Sequence, residues 1–172
     1  MDTREGSTRN IVTSGSALSG EEIEGVLGRV TLGRIACADH GRVYIIPISY
    51  AYDGEHVYGC SWDGLKLRTM RAQPSVCVEV EEHLKNGDIR SVVAWGKFEE
   101  IEGDLALAAL DLFALRFGDE IFRRVATQVS EPAKVVVYRV RLTKRTGRTD
   151  RPLRRVAAAF RAHGLNGKRR EK

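Results

Sequence analysis

The chain has 172 residues, 42% of them apolar and 30% charged, which suits one globular domain and excludes a disordered, collagen-like or disulfide-stapled chain. Its longest apolar stretches, such as Val43 to Ala51, fall short of the roughly 18 to 20 residues that cross a bilayer, and Met1-Asp2-Thr3-Arg4 opens no secretory signal, so a cytoplasmic location is expected. The formal charge of +5 combines an acidic body, −6 over residues 1–138, with a basic end, +11 over residues 139–172.

Residues 1–17 are Ser, Thr, Gly and charge without apolar periodicity, and they are expected to be a flexible arm. Ser19-Gly20-Glu21-Glu22 has the form of a capping box, and Ile23, Val26, Leu27 and Val30 follow at helical spacing, which predicts a short amphipathic helix. From Thr31 the period changes to two. Leu32 to Ala38, Val43 to Tyr52 and His56 to Ser61, separated by Asp39-His40-Gly41 and Asp53-Gly54, predict three strands in a meander. Gly64 precedes a short helix that must end before Pro74. Ser75 to Glu81 and Ile89 to Ile101 predict two further strands.

Asp104 is placed as the cap of a helix whose core face would be Leu105, Ala108, Ala109, Leu112 and Leu115, with Gly118 as its stop. Asp119 would cap a second helix carrying Ile121, Phe122 and Val125. Lys134 to Leu142, rich in β-branched residues, predicts the last strand, and Arg154 to His163 a basic helix. Six strands with helices inserted late favour a small closed barrel, because closure removes unpaired edges; a sandwich shares the pattern. The divisions are an arm at 1–17, a domain at 18–148 and a basic tail at 149–172.

Cys37, Cys60 and Cys77 have neither CxxC spacing nor clustered histidines, so no zinc site or disulfide framework is indicated. Cys37 and Cys77 read as small buried hydrophobes. His40, His56, His83 and His163 fall in turns, at a strand edge and in the tail, and read as surface residues. No Walker A loop, GxGxxG, HExxH or GxSxG is present. In Tyr58-Gly59-Cys60-Ser61-Trp62-Asp63-Gly64-Leu65-Lys66 a strand ends in small residues and a helix begins with a lysine in its first turn. Free amides, the Ser61 hydroxyl and the Lys66 ammonium together offer a phosphate site; an ordinary strand-turn-helix joint is the other reading.

Gly33-Arg34-Ile35-Ala36, Pro47-Ile48-Ser49-Tyr50, Val57-Tyr58-Gly59-Cys60-Ser61 with Gly64-Leu65-Lys66, Met70 to Val80, Ser91 to Gly96 with Phe98-Glu99-Glu100, and Tyr138-Arg139-Val140 with Thr146-Gly147-Arg148 occur in that order. This ordered set resembles the pyridoxamine 5′-phosphate oxidase-like family of FMN-binding split barrels, and within it the branch containing the 5-nitroimidazole reductases. The resemblance implies a six-stranded Greek-key split β-barrel, mainly β with flanking helices, that dimerises with FMN sites across the subunit interface. It places Tyr44, Ile45, Ile46, Pro47, Ile48 and Ser49 along the isoalloxazine edge and ribityl chain. Gly59, Cys60 and Ser61 line the next strand end, Leu65 and Lys66 sit at the phosphate, and Ser91 and Trp95 come from the fifth strand. Tyr50, Cys60 and Trp95 would be pocket-wall residues.

Three departures qualify the transfer. Leu65 stands where the family commonly has a basic residue, Cys60 where many nitroreductase-like members have a histidine, and the Arg/His-containing ending of the vitamin B6 oxidases is missing. The expected activity is an FMN-dependent oxidoreductase acting on a small molecule, in which the cofactor carries the electron chemistry and no side-chain acid or base is required. The alternatives are a non-catalytic module holding flavin, deazaflavin or haem, and a nonspecific nucleic-acid binder working through the basic end.

Overall fold

The computed structural model describes residues 15–118 and 135–150. The helix predicted after Asp119, the basic helix at 154–163 and most of the N-terminal arm lie outside the described residues. In chain order the elements are β1 (Ser16–Ala17), α1 (Gly20–Arg29), β2 (Leu32–Asp39), β3 (Arg42–Ser49), β4 (Ala51–Tyr52), β5 (His56–Trp62), α2 (Leu65–Ala72), β6 (Ser75–His83), β7 (Ile89–Glu100), α3 (Gly103–Phe117) and β8 (Val135–Asp150).

The capping box forms as expected. The Glu22 amide donates to Ser19 Oγ at 3.2 Å, the Ser19 amide donates to Glu22 Oε2 at 2.9 Å, and α1 then buries Ile23, Val26 and Leu27. Six long strands and two two-residue strands make one antiparallel sheet in the order β3-β2-β6-β7-β8-β5-β4, with β1 added beside β8. Ser16 and Ala17, assigned from sequence to the arm, therefore belong to the sheet.

The meander is corrected at Tyr50. The predicted strand Val43 to Tyr52 is two strands: β3 pairs only with β2, and β4 pairs only with β5, at the opposite end of the strand order. Tyr50 is the corner between them. Its amide donates to the Thr31 carbonyl at 3.1 Å, its hydroxyl donates to the Leu27 carbonyl at 2.9 Å, and its side chain has no exposure. One continuous stretch of chain thus serves both ends of the sheet and curls it into a split Greek-key barrel. Tyr50 is core, not pocket wall.

The barrel interior packs Ile35, Val78, Val80, Val92, Phe98, Tyr138 and Val140 against Leu27, Leu67 and Met70 from the helices. A second cluster, Ile101, Ala106, Ala109, Leu110 and Val137, lies between α3 and the outside of the sheet. The predicted face of α3 holds only at Ala109: Ala106, Ala109, Leu110 and Phe113 are buried, whereas Leu105, Ala108 and Leu115 are exposed and Leu112 is half-buried. Its N-cap is Glu102, with no side-chain cap hydrogen bond, and Asp104 lies in its first turn. Gly118, at φ 90°, ends it as predicted.

β8 runs eight residues past its predicted end at Leu142, pairing Thr146, Gly147 and Arg148 with Val93, Val92 and Ser91 of β7 beyond a bulge between Trp95 and Gly96. This extension absorbs part of the basic end. Arg139 and Arg141 pair with Glu99, and Arg145 pairs with Glu24.

Candidate flavin-type site in the split of the barrel

β4 pairs with β5 only at Tyr58 and Val57, so the β5 edge from Cys60 to Trp62 and the far edge of β3 diverge without strand partners on those sides. A cavity of about 260 Å³ occupies this wedge, lined by Pro47, Ile48 and Ser49 of β3, Cys60 of β5, Lys66 of α2, and Phe113 and Phe117 of α3. Five of the thirteen sequence-derived site residues are brought together here. Pro47 is tolerated because β3 is an edge strand in the hydrogen-bonded order.

Lys66 is the charged group of the wedge. It follows the α2 N-cap Gly64, which provides no side-chain cap, so the first amides of that helix remain available beside it. Its ammonium lies 5.7 Å from the centre of the Tyr138 ring and forms no ion pair among the described residues. Burial holds its pKa below the ordinary lysine value, and proximity to Cys37 and Cys60 only partly offsets this. The Cys60 thiol is itself pushed up to about 12 by burial, so it stays protonated at neutral pH. A half-buried cation without a carboxylate is chemically matched to an anionic arm of a ligand.

The other eight residues are placed elsewhere. Tyr44, Ile45 and Ile46 lie farther along β3, outside the cavity lining, with Ile45 62% exposed. Gly59 is backed by Tyr138, whose ring and hydroxyl a Cβ at that position would strike. The Ser61 hydroxyl donates to the Trp62 carbonyl at 3.0 Å, and Leu65 is exposed. Ser91 and Trp95 project from the outer face of β7. There Trp95 is 40% exposed, lies beside Lys144, and continues the cross-strand row Ile45, Ala36, Cys77, Trp95. Cys77, expected to be buried, is partly exposed in that row.

Phe113 and Phe117 were not among the sequence-derived site residues. Their rings stack at 5.5 Å with 21° between planes. A second cavity, of about 390 Å³, lies beyond α3 among Ile101, Ala106, Leu107, Leu110 and Val135 to Val137, with Glu100 and Glu102 at its margin. It is larger, but it offers no cation for an anionic ligand.

A family model described as pyridoxamine 5′-phosphate oxidase matches residues 19–149, the whole barrel from α1 to the end of β8. The chain belongs to this family. Among solved structures, an FAD-binding protein from Mesorhizobium loti is 31% identical with a TM-score of 0.62, covering 79% of this chain and 98% of its own. A candidate 5-nitroimidazole antibiotic resistance protein from Bacteroides thetaiotaomicron, at 19% identity and a TM-score of 0.64, shares the fold over 80% of this chain and 88% of its own. An uncharacterized protein of Rhizobium meliloti (strain 1021) is 37% identical over 84 residues, 49% of this chain and 56% of that relative, so the match spans little more than half the relative's length. No described helix is long and apolar enough to cross a membrane.

Proposed function

We propose that the chain is a flavin-dependent oxidoreductase of small molecules that holds FMN in the wedge between β3 and β5. The observation that carries this reading is Lys66, a half-buried cation at the start of α2 that meets no carboxylate among the described residues and lines a cavity bounded by diverging strand edges. Lys66 and the free α2 amides would hold the phosphate, and Pro47 to Ser49 would run along the ribityl chain and ring edge. Bound flavin supplies the electron chemistry, so the protein's part is to bind, orient and limit solvent access. Family membership and the flavin-binding relative from Mesorhizobium loti support the same reading.

The cavity is smaller than the roughly 300 to 1,000 Å³ usual for sites that enclose a drug-sized ligand. A homodimer completes it in this proposal, with a second copy bringing the outer face of β7, including Ser91 and Trp95, to the cofactor. The exposed row Ile45, Ala36, Cys77, Trp95 supplies an apolar surface for that association.

The absorption spectrum of the purified protein, followed by NAD(P)H oxidation with a nitroaromatic acceptor, tests the proposal. An oxidised-flavin spectrum with turnover supports it. A flavin spectrum without turnover leaves a carrier, and a Soret band replaces flavin by haem.

A further inference from the structure

We infer that α3 supplies the ring-recognition half of the wedge, with the stacked pair Phe113 and Phe117 forming an aromatic wall against which the planar ring of the ligand packs, chiefly at Phe117, while Lys66 takes its anionic arm. The inference rests on the flavin reading above and adds two specificity-determining residues to it. The cavity lining combines both kinds of group: Lys66 and Ser49 are polar, and Pro47, Ile48, Cys60, Phe113 and Phe117 are apolar or weakly polar.

The aromatic pair is not explained as core. Phe113 is buried, yet it belongs neither to the barrel interior nor to the cluster beneath α3, which ends at Leu110 along the helix. Its ring contact is Phe117, one helical turn on; the two rings stack offset on one another, and both line the same cavity. Aromatic faces hold a planar π system by offset stacking in addition to simple area burial.

The wall is also anchored. Arg116, between the two phenylalanines in sequence, donates to the Gly28 carbonyl at 2.7 Å, the Leu27 carbonyl at 3.3 Å and the Val30 carbonyl, and its guanidinium lies 5.4 Å from the centre of the Tyr50 ring. The last turn of α3 is thereby fixed to the end of α1, and the aromatic pair is held at the cavity before any ligand arrives. Such preorganisation limits the ordering cost of binding.

The test titrates FMN and riboflavin into wild type, Phe117→Leu, Phe117→Trp and Lys66→Met, with circular dichroism confirming the fold of each. A ring contact is common to both ligands, so Phe117→Leu is expected to weaken FMN and riboflavin by the same factor, roughly fivefold to tenfold. Phe117→Trp is expected to keep affinity and quench the bound flavin's emission further, a signature that a merely structural role would not produce. Unchanged affinity in Phe117→Leu, or no added quenching in Phe117→Trp, overturns the inference. If Lys66→Met in that case still weakens FMN selectively while leaving riboflavin unchanged, the flavin reading stands without the wall. Absence of binding to wild type by either ligand overturns both.

Discussion

Replacing Lys66 by Met keeps the length and apolar stem of the side chain and removes only the charge. In the free protein this ammonium is half-buried, meets no carboxylate among the described residues, and has its pKa lowered chiefly by burial. Removing it relieves a desolvation cost, which the lost contact with the Tyr138 ring only partly offsets, so Lys66→Met is expected to raise the Tm of the ligand-free protein slightly. With FMN the sign reverses. A charge-assisted contact to phosphate is worth about 1.5 to 3 kcal/mol, so the variant should bind FMN roughly ten- to 150-fold more weakly, and riboflavin, which lacks the phosphate, almost as well as wild type. The pH dependence follows from the same shift. Because the folded pKa lies below the ordinary value of 10.5, the folded protein loses this proton first; ligand-free wild type should gain stability, and FMN affinity should fall, as pH rises from that lowered value towards 10.5. Both trends should be flat in Lys66→Met. Differential scanning calorimetry and flavin fluorescence titration from pH 7 to 10.5 measure these effects. Equal losses for the two flavins would refute the placement of the phosphate, and a lower Tm for the ligand-free variant would refute the desolvation argument.

Arg116→Ala removes the donor to three carbonyls at the end of α1 and is expected to lower stability by about 2 to 3 kcal/mol, read as an earlier denaturant midpoint at unchanged slope. The Tyr138 hydroxyl is buried without a hydrogen-bond partner among the described residues, so Tyr138→Phe should be neutral or stabilising by about 1 kcal/mol, whereas Gly59→Ala should drive a methyl group into that ring and destabilise by about 1 to 3 kcal/mol; thermal melts of the two variants compare them directly. Glu99 and Glu82 are held below the ordinary carboxyl value of 4.5, chiefly by hydrogen bonds from Arg139 and Arg29. Their stabilisation is complete above 4.5 and lost as pH falls through the lowered values, so Tm should drop below about pH 4.5, and Arg139→Gln should flatten part of that drop. Ile45→Glu places a charge in the exposed apolar row and should convert the proposed dimer to a monomer in light scattering while leaving the fold intact by circular dichroism.

The features legible in the sequence are those set by local chemistry. Ser19 and Glu22 announce α1 because a capping box is complete within four residues, and Gly64 with Pro74 brackets α2 because both act on the backbone beside them. The face of α3 was misread for a physical reason. Its apolar residues occupy nearly the whole circumference, so Leu105, Ala108, Ala109, Leu112 and Leu115 form as regular a stripe as Ala106, Ala109, Leu110 and Phe113, the buried one, and the two share only Ala109. Only tertiary packing separates the two, and with the wrong face chosen, the i, i+4 pair Phe113 and Phe117 passed unnoticed. The split at Tyr50 was equally hidden: the uncharged run from Val43 to Ala51, interrupted only by Pro47 and Ser49, contains no turn motif to show that its halves pair with strands on opposite ends of the sheet. At the site, Lys66 was found because its charge follows a glycine turn at a helix start. Ser61 and Leu65 were carried along by adjacency in sequence, although their side chains turn away from the wedge.

The corner at Tyr50 makes the closure of this barrel covalent. Among the described strands no ladder joins β3 to β5; the ring is completed by the peptide bonds from Ser49 through Tyr50 to Ala51. Most barrels can be nicked between strands and remain closed by the hydrogen bonds that flank the cut. Here a cut at residue 50 would leave every strand pair intact and still turn the ring into an open ribbon, with the wedge no longer having two fixed sides. A circular permutant that begins at Ala51 would therefore separate two properties that ordinary destabilisation lowers together: the sheet would persist, and the binding site would not.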